Sequence, residues 1–465
     1  MTAEAIRRLP RSTPAAEGVA ASGIAGFLDA AAARGIQLHS LMLLRHGRVV
    51  AEGWWRPYAA ELPHALYSLS KSFTSSAVGL AVAEGRLSPE DPVVSFFPDD
   101  LPPRVGPHLA AMRVRHLLSM GTGHDQDTTS RVREGGPSWV RTFLGLEVEH
   151  EPGAKFVYNS AATYMLSAIV QRLTGQTLLD YLTPRLLGPL GIRGAAWQSS
   201  PEGIHTGGWG LSVRTEDIAC FGQLYLQEGR WEGRQLLPRD WIHAATSAQI
   251  DNAGGPNPDW AQGYGYQFWR CRHGAYRGDG AWGQFCVVLP AQDAVLALTA
   301  GTGNLQGVLD AAWDHVLPAL GSAGDPDADA SLGAHLAGLS LAPAGGAPAE
   351  IPAGAWTFPP NEARLESLAL DPAGPSCAVR LVQAGTERRI ACGWGTWAED
   401  GADAGAEPCA GHAAWEPDGT LRLDWYFVRT PFGRTLRIRR NGPAVDVEYR
   451  SNAGEHAQGL RLRGT

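Results

Sequence analysis

Of the 39 basic residues in this 465-residue chain only two are lysine, Lys71 and Lys155. An arginine bias of this kind marks a GC-rich genome and says little by itself. Where lysine survives is informative, because arginine cannot give up its proton in a protein whereas a partly buried lysine can. Lys71 lies in Tyr67-Ser68-Leu69-Ser70-Lys71-Ser72. Three residues apart at the mouth of an expected helix, Ser68 and Lys71 face the same side and can touch. Amides at a helix N-terminus favour negative charge, which helps both a serine alkoxide and an oxyanion. A desolvated amine there can be neutral often enough to accept the serine proton. The chemistry on offer is nucleophilic acyl transfer, with Ser68 as nucleophile and Lys71 as base. S-x-x-K is short, however, and when it stands alone a capped surface helix is the better account of it.

The elements that would position this pair can be read from pattern. Leu41 to Leu44 and Val49 to Trp54 are apolar runs around Arg45-His46-Gly47-Arg48, which predicts a hairpin. Ser70 to Ala83 predicts a helix ending at Glu84-Gly85, and Ala161 to Leu173 another that stops at Gly175. Thr215-Glu216-Asp217 reads as a helix start with acidic residues in its first turn, and Asp217 as a capping group. Phe285 to Leu289 and Ala294 to Thr299 predict paired strands, and Asp310 to Leu320 a closing helix. Strands at both ends with helices between predict one sheet assembled from the two ends of the domain, with a helical insert. Residues 321–354 are dominated by alanine, glycine, proline and aspartate, a linker signature. Beyond them, short alternating segments separated by turn residues predict a small β-barrel-like domain over 355–465. The expected fold class is therefore α/β (α+β), with a catalytic domain over 1–320.

Composition removes several other functions. The net charge is −8 with arginines scattered, so there is no basic stripe for nucleic acid or an anionic membrane. No apolar run reaches membrane-spanning length, and Arg7, Arg8 and Arg11 are not followed by the apolar segment of a signal peptide. Six cysteines show no C-x-x-C pairing or metal-ligand rhythm, and buried free thiols in a reducing cytoplasm are the expectation. Gly278-x-Gly280-x-x-Gly283 matches the dinucleotide fingerprint in letters, but a strand-like run follows where a helix is needed.

A second segment, Pro152-Gly153-Ala154-Lys155-Phe156-Val157-Tyr158-Asn159-Ser160, stands immediately before a helix. With it the chain resembles the class C β-lactamase and D-alanyl-D-alanine peptidase superfamily and its esterase and amidase relatives. The order of surrounding motifs matches: Glu84-Gly85-Arg86-Leu87, Asp91-Pro92-Val93, Phe97-Pro98, Arg115 to Met120 into Gly121-Thr122-Gly123, Gly208-Trp209-Gly210-Leu211, Phe221-Gly222, and Gly263-Tyr264-Gly265-Tyr266. The resemblance covers roughly residues 20–320, and the ordered set is far more specific than any one piece. It implies that Tyr158 is the second proton-transfer residue, a phenol whose pKa a nearby lysine would lower.

Two departures from the family pattern bear on substrate. The asparagine of Tyr-x-Asn is replaced by Ser160, which can hydrogen-bond a substrate or Lys71. The lysine or histidine of the family's third motif, Lys/His-Thr-Gly, is missing, and the matching stretch is Gly278-Asp279-Gly280. That cation usually reads a substrate carboxylate, so its loss argues against β-lactams and D-alanyl peptides. Gly280-Ala281-Trp282-Gly283-Gln284 resembles the esterase and 6-aminohexanoate-oligomer hydrolase branches, which implies an oxyanion hole from the backbone amides of Ser68 and Ala281. Ser160, Gly280, Trp282 and His124 are the implied substrate contacts. The expectation is a cofactor-independent, metal-free hydrolase of a small-molecule ester or linear amide. A D-alanyl peptidase or β-lactamase-like enzyme, and a non-catalytic scaffold that kept the fold, remain the alternatives. The β module could cover the cleft, brace the domain or mediate a homodimer.

Overall fold

In the computed structural model, residues 9–342, 353–373, 376–400 and 407–465 are described. The expected hairpin forms from β1 (Leu38–Arg45) and β2 (Arg48–Trp54). His46 and Gly47 at its tip both have positive φ, 49° and 72°, the backbone that a two-residue loop needs to match strand twist. Four further strands come from the far end of the domain: β3 (Trp269–Arg270), β4 (Tyr276–Gly280), β5 (Gln284–Leu289) and β6 (Ala294–Ala300). They assemble in the order β2-β1-β6-β5-β4-β3, antiparallel throughout, with Leu41 opposite Leu298 and Leu298 opposite Phe285.

Both faces of this sheet are covered, so its central strands read as unbroken apolar runs. The period-2 alternation distributes each strand between two cores. Met42, Leu44, Cys286, Val288 and Val295 face the helical insert, whereas Leu41, Leu43, Phe285, Val287 and Leu296 face α1 (Ala21–Ala33) and the closing helix. The closing helix begins earlier than expected, at Leu305, because the Asn304 side chain caps it by accepting from the Gly307 amide at 3.0 Å.

The nucleophile helix, α2 (Ser70–Ala83), is buried almost throughout although half of its first eight residues are serine. Three of its hydroxyls bond to the surrounding loops. Ser70 Oγ donates to the Tyr67 carbonyl at 2.6 Å and accepts from the Leu211 amide. Ser72 and Thr74 donate to the carbonyls of Gln267 and Gly207, each at 2.9 Å. A polar helix can sit at the centre of a domain because each of these groups is satisfied. Flanking it are α3 (Ser160–Thr174), which stops at Gly175 in the left-handed region, and α4 (Thr215–Leu226). The cap of α4 falls on Arg214, one residue before the expected start, and Asp217 accepts from the Arg214 amide at 2.9 Å. Asp217 is thus a capping group. Burial raises its carboxyl to about 6 despite Arg214.

The stretch read as a linker differs from that expectation. Residues 326–337 form α5 (Pro326–Ala337), with Asp325 as N-cap and proline at its first position. It buries Leu332 and Leu336 in the same core as α1, and Leu336 and Leu339 close over Gly53 of β2, where a Cβ would lie 3.1 and 2.8 Å from them. The remainder of that stretch, residues 343–352, lies outside the described residues.

Among the described residues, the C-terminal module is a separate antiparallel-rich sheet of ten strands with its own core around Trp356, Leu368, Val379, Trp425 and Val447. Thr357, at the end of its first strand, and Thr465, after its last, exchange both backbone hydrogen bonds at 3.0 and 3.1 Å. The ends of the first and last strands are therefore joined by one backbone pair. One of its hairpin loops is seated on the main domain. Tyr58 Oη donates to the Thr430 carbonyl at 2.9 Å, and the Ala65 amide to the Arg429 carbonyl at 2.8 Å. Gln37 bonds Tyr426 Oη at 2.7 Å and Asn452 at 2.6 Å. Among the described residues no helix is long and apolar enough to cross a membrane.

Candidate active site

Ser68 lies in a 3₁₀ turn, Tyr67–Leu69, that leads into α2. Tyr67 has φ of 50°, a left-handed conformation that bulky residues rarely adopt. The turn is held by the Ser70 hydroxyl on the Tyr67 carbonyl. Lys71, one helical turn on, is 1% exposed and directs its amine back at the serine. Its Nζ is 3.0 Å from Ser68 Oγ, 2.9 Å from Ser160 Oγ and 2.7 Å from the Gly208 carbonyl. An ammonium has three donors, and all three are used. Burial brings the Lys71 amine down to about 7, and Asp127 and Asp279 counteract that only in part. An amine titrating there is neutral in a large fraction of molecules at physiological pH, and its lone pair can then face Ser68.

Tyr158 lies beside the same amine, with Lys71 Nζ 4.8 Å from its ring centroid. Its ring stacks on Trp269 at 5.2 Å and meets Tyr264 edge-on at 6.1 Å. The sequence-based expectation of a lowered phenol pKa is reversed. Burial, reinforced by the Asp279 charge, raises Tyr158 well above its ordinary value, and a hydrogen bond with Ser68 offsets this only partly. Tyr158 is thus held as a neutral phenol rather than as a phenolate. The Tyr158 loop is clasped to the preceding one: the Val157 amide donates to the Met120 carbonyl at 2.9 Å, and Asn159 Oδ1 accepts from Thr128 Oγ1 at 3.0 Å.

Strand β4 runs directly against the nucleophile turn. At Gly280 a Cβ would lie 2.0 Å from the Leu66 carbonyl oxygen, and at Gly278 it would lie 2.5 Å from both Leu69 Cδ1 and Ser72 Oγ. At Gly280 the obstacle is backbone and only glycine allows the approach, whereas at Gly278 two side-chain ends would have to shift. Past Gly280, Ala281 is exposed at the tip of the turn into β5 and its carbonyl accepts from Gln284 Nε2 at 3.1 Å. Gln284 also donates to the Ala300 carbonyl at 3.0 Å, so one buried side chain ties the turn to β6. Trp282 is half-buried with φ of 67°.

A cation does stand one residue before the third-motif position, but it is paired with Asp279. Arg277 is fully buried, donates to Asp279 Oδ2 at 2.8 Å and to the Asp259 carbonyl at 2.7 Å, and lies 4.1 Å from the Trp260 ring centroid. Burial raises the Asp279 carboxyl, with Arg277 opposing it.

Ser68, Lys71, Tyr158 and Ser160 therefore converge, with Gly280 closing the turn behind Ser68. His124 does not fit its expected role. It is fully buried, bonded to Thr122 Oγ1 at 2.9 Å and edge-on to Phe143 at 5.2 Å, so it presents no surface to a substrate. Sequence reasoning missed the Gly208 carbonyl, whose only trace was the Gly208-Trp209-Gly210 motif. It also missed Asp127, an exposed carboxylate within electrostatic reach of Lys71 and Tyr158.

Comparison with known proteins places the chain in a family. The chain belongs to the beta-lactamase family, whose model matches residues 21–319. It is 27% identical over 281 residues to 6-aminohexanoate-dimer hydrolase from Paenarthrobacter ureafaciens, covering 55% of this chain and 71% of that one. A solved structure described as a candidate 6-aminohexanoate-dimer hydrolase from Bacillus anthracis superposes with a TM-score of 0.56 at 20% identity, over 68% of this chain and 87% of that one. The octameric penicillin-binding protein homologue from Pyrococcus abyssi superposes with a TM-score of 0.52 at 16% identity, over 95% of this chain and 99% of that one. The protein is a hydrolase of the serine β-lactamase-like class, with the corresponding fold.

Proposed function

We propose that the protein hydrolyses carboxylic esters or linear amides of small molecules through an acyl-enzyme on Ser68. The observation that carries this reading is the Lys71 amine, 3.0 Å from Ser68 Oγ and brought down to about 7 by burial. Neutral Lys71 accepts the Ser68 proton as Oγ bonds to the substrate carbonyl carbon, and the carbonyl electron pair moves to oxygen. The backbone amides of Ser68 and Ala281 hold that oxyanion. As the tetrahedral centre collapses, the bond to the leaving group breaks and Tyr158 gives it a proton, which the Lys71 ammonium then restores to the phenol. Water attacks the acyl-enzyme by the reverse route, its proton passing to Lys71 and from there to Ser68 Oγ as the acyl bond breaks. No step calls on a metal or organic cofactor.

The glycine at the third-motif position supports esters and simple amides over carboxylate-bearing substrates, since Arg277 is already paired with Asp279. The similarity to a 6-aminohexanoate-dimer hydrolase supports amide substrates in particular. Cys220, Cys271, Cys286 and Cys377 are buried free thiols, which supports a reducing, cytoplasmic setting.

A fluorophosphonate probe followed by mass spectrometry of the adduct tests the nucleophile. The adduct is expected on Ser68, and Ser68→Ala is expected to lose turnover of p-nitrophenyl esters and linear anilides. Labelling elsewhere, or full turnover in Ser68→Ala, would remove the mechanism. Rapid turnover of a chromogenic cephalosporin would overturn the substrate class.

A further inference from the structure

Two aromatic residues bracket the reacting atoms in sequence: Tyr67 precedes the nucleophile and Trp282 follows the oxyanion residue. Both are half-buried, and both hold positive φ, 50° and 67°. Left-handed backbone at two bulky residues is unfavourable and persists only where surrounding structure imposes it, commonly at functional sites. A third ring imposes order on both. Phe432, from the C-terminal module, lies edge-on to Tyr67 at 6.4 Å and 88° and to Trp282 at 5.9 Å and 63°.

The loop that carries Phe432 is fixed rather than draped. Its Arg429 and Thr430 carbonyls are held by the Ala65 amide and Tyr58 Oη, and Asn452 Nδ2 bonds the Pro431 carbonyl at 2.8 Å while reaching Gln37. Pro431 is buried, and Phe432 next to it keeps part of its ring exposed. The Phe432 amide donates to Thr430 Oγ1 at 3.2 Å, which closes the loop internally.

We propose that Tyr67, Trp282 and Phe432 form the subsite for an apolar acyl chain, so that the C-terminal module supplies one wall of the substrate site. This rests on the acyl-enzyme reading above. The leaving group has to lie against its proton donor, Tyr158, whose ring packs on Trp269 and Tyr264. The acyl chain extends away from that donor, past Ser68 and Ala281, where the three half-exposed rings stand. Aromatic walls of this kind favour apolar groups by burial and select on chain size rather than on charge.

The test is the acyl-length profile of kcat/KM on p-nitrophenyl acetate, butyrate, octanoate and phenylacetate. It compares wild type, Phe432→Ala and Phe432→Leu, with Ser68→Ala as control. Phe432→Ala is expected to keep acetate turnover and lose about tenfold or more on octanoate and phenylacetate. Phe432→Leu, which keeps apolar bulk, is expected to fall between the two. A Phe432→Ala profile parallel to wild type, or an equal loss on acetate and octanoate, overturns the subsite. Persistent turnover in Ser68→Ala overturns the acyl-enzyme reading and the subsite with it.

Discussion

Lys71 Nζ sits 3.0 Å from Ser68 Oγ while its other two hydrogen bonds go to Ser160 Oγ and the Gly208 carbonyl. Those two acceptors pin the amine in place and occupy the donors it keeps when neutral, leaving the third direction for the serine. The same burial that makes the amine a competent base also raises Tyr158, so one apolar setting separates the two groups into acceptor and donor.

The pH dependence of kcat/KM follows from the first of these shifts. The base is active when Lys71 is neutral, so kcat/KM rises with pH and levels off above about 7. Tyr158 stays protonated well beyond that, so no alkaline descent follows from it. Arginine cannot deprotonate, and Lys71→Arg is expected to cost about 10²–10⁴-fold at every pH. Stability moves in the same direction. Between about 7 and the ordinary lysine value of 10.5 the unfolded chain binds the Lys71 proton and the folded chain does not. Folding stability therefore gains with rising pH across that window. Thermal melts of wild type against Lys71→Met across it are expected to diverge in favour of wild type as pH increases.

Tyr158→Phe separates proton donation from ring packing, since the contacts with Trp269 and Tyr264 are kept. A poor leaving group needs the phenol proton, whereas p-nitrophenolate departs without one. The loss is expected to reach about 10²–10⁴-fold on alkyl esters and anilides and to be much smaller on p-nitrophenyl esters. Equal losses on both classes would give Tyr158 a different task.

Ser68 and Lys71 were legible because their relationship is contained in one helical turn, and the two-ended sheet because its strands are apolar runs of the right length. What lay beyond reach had physical reasons. The Gly208 carbonyl is a backbone acceptor, and nothing about a glycine side chain announces it. The sign of the Tyr158 shift is a contest between a cation and burial, and sequence shows the cation alone. His124 follows a glycine-rich loop, as a cleft residue would, but the ring of Phe143 covers it. Helix α5 was hidden by linker-like composition, although Asp325-Pro326 is a helix start and Leu332 and Leu336 share a face. Phe432 belongs to another module altogether, and only the folded chain brings it beside Tyr67.

Gly278 tests whether the absent cation of the third motif could simply be restored. A Cβ there would stand 2.5 Å from Leu69 Cδ1 and Ser72 Oγ, in the first turns after the nucleophile. Gly278→Lys is therefore expected to lose about 1–3 kcal/mol of stability through overpacking and to lower ester turnover. It is not expected to gain cephalosporin hydrolysis. Thermal melts and a cephalosporin assay on the same sample check both halves.

Gln284 offers the sharpest test of the oxyanion assignment because it acts without touching substrate. Its amide nitrogen holds the Ala281 carbonyl at 3.1 Å and the Ala300 carbonyl at 3.0 Å, tying the β4–β5 turn to β6. The peptide plane that carries the Ala281 carbonyl adjoins the one that carries its amide, so releasing the first loosens the aim of the second. An oxyanion donor matters most in the transition state. Gln284→Leu preserves volume and removes both hydrogen bonds. It is expected to lower kcat by about tenfold or more with KM nearly unchanged, within the range seen for oxyanion-hole donors. Gln284→Glu, offering an acceptor where a donor is required, is expected to be worse at neutral pH and, relative to wild type at the same pH, to recover in part as acid protonates it. A rise in KM with kcat intact would mean that the turn binds ground-state substrate and that the oxyanion donor lies elsewhere.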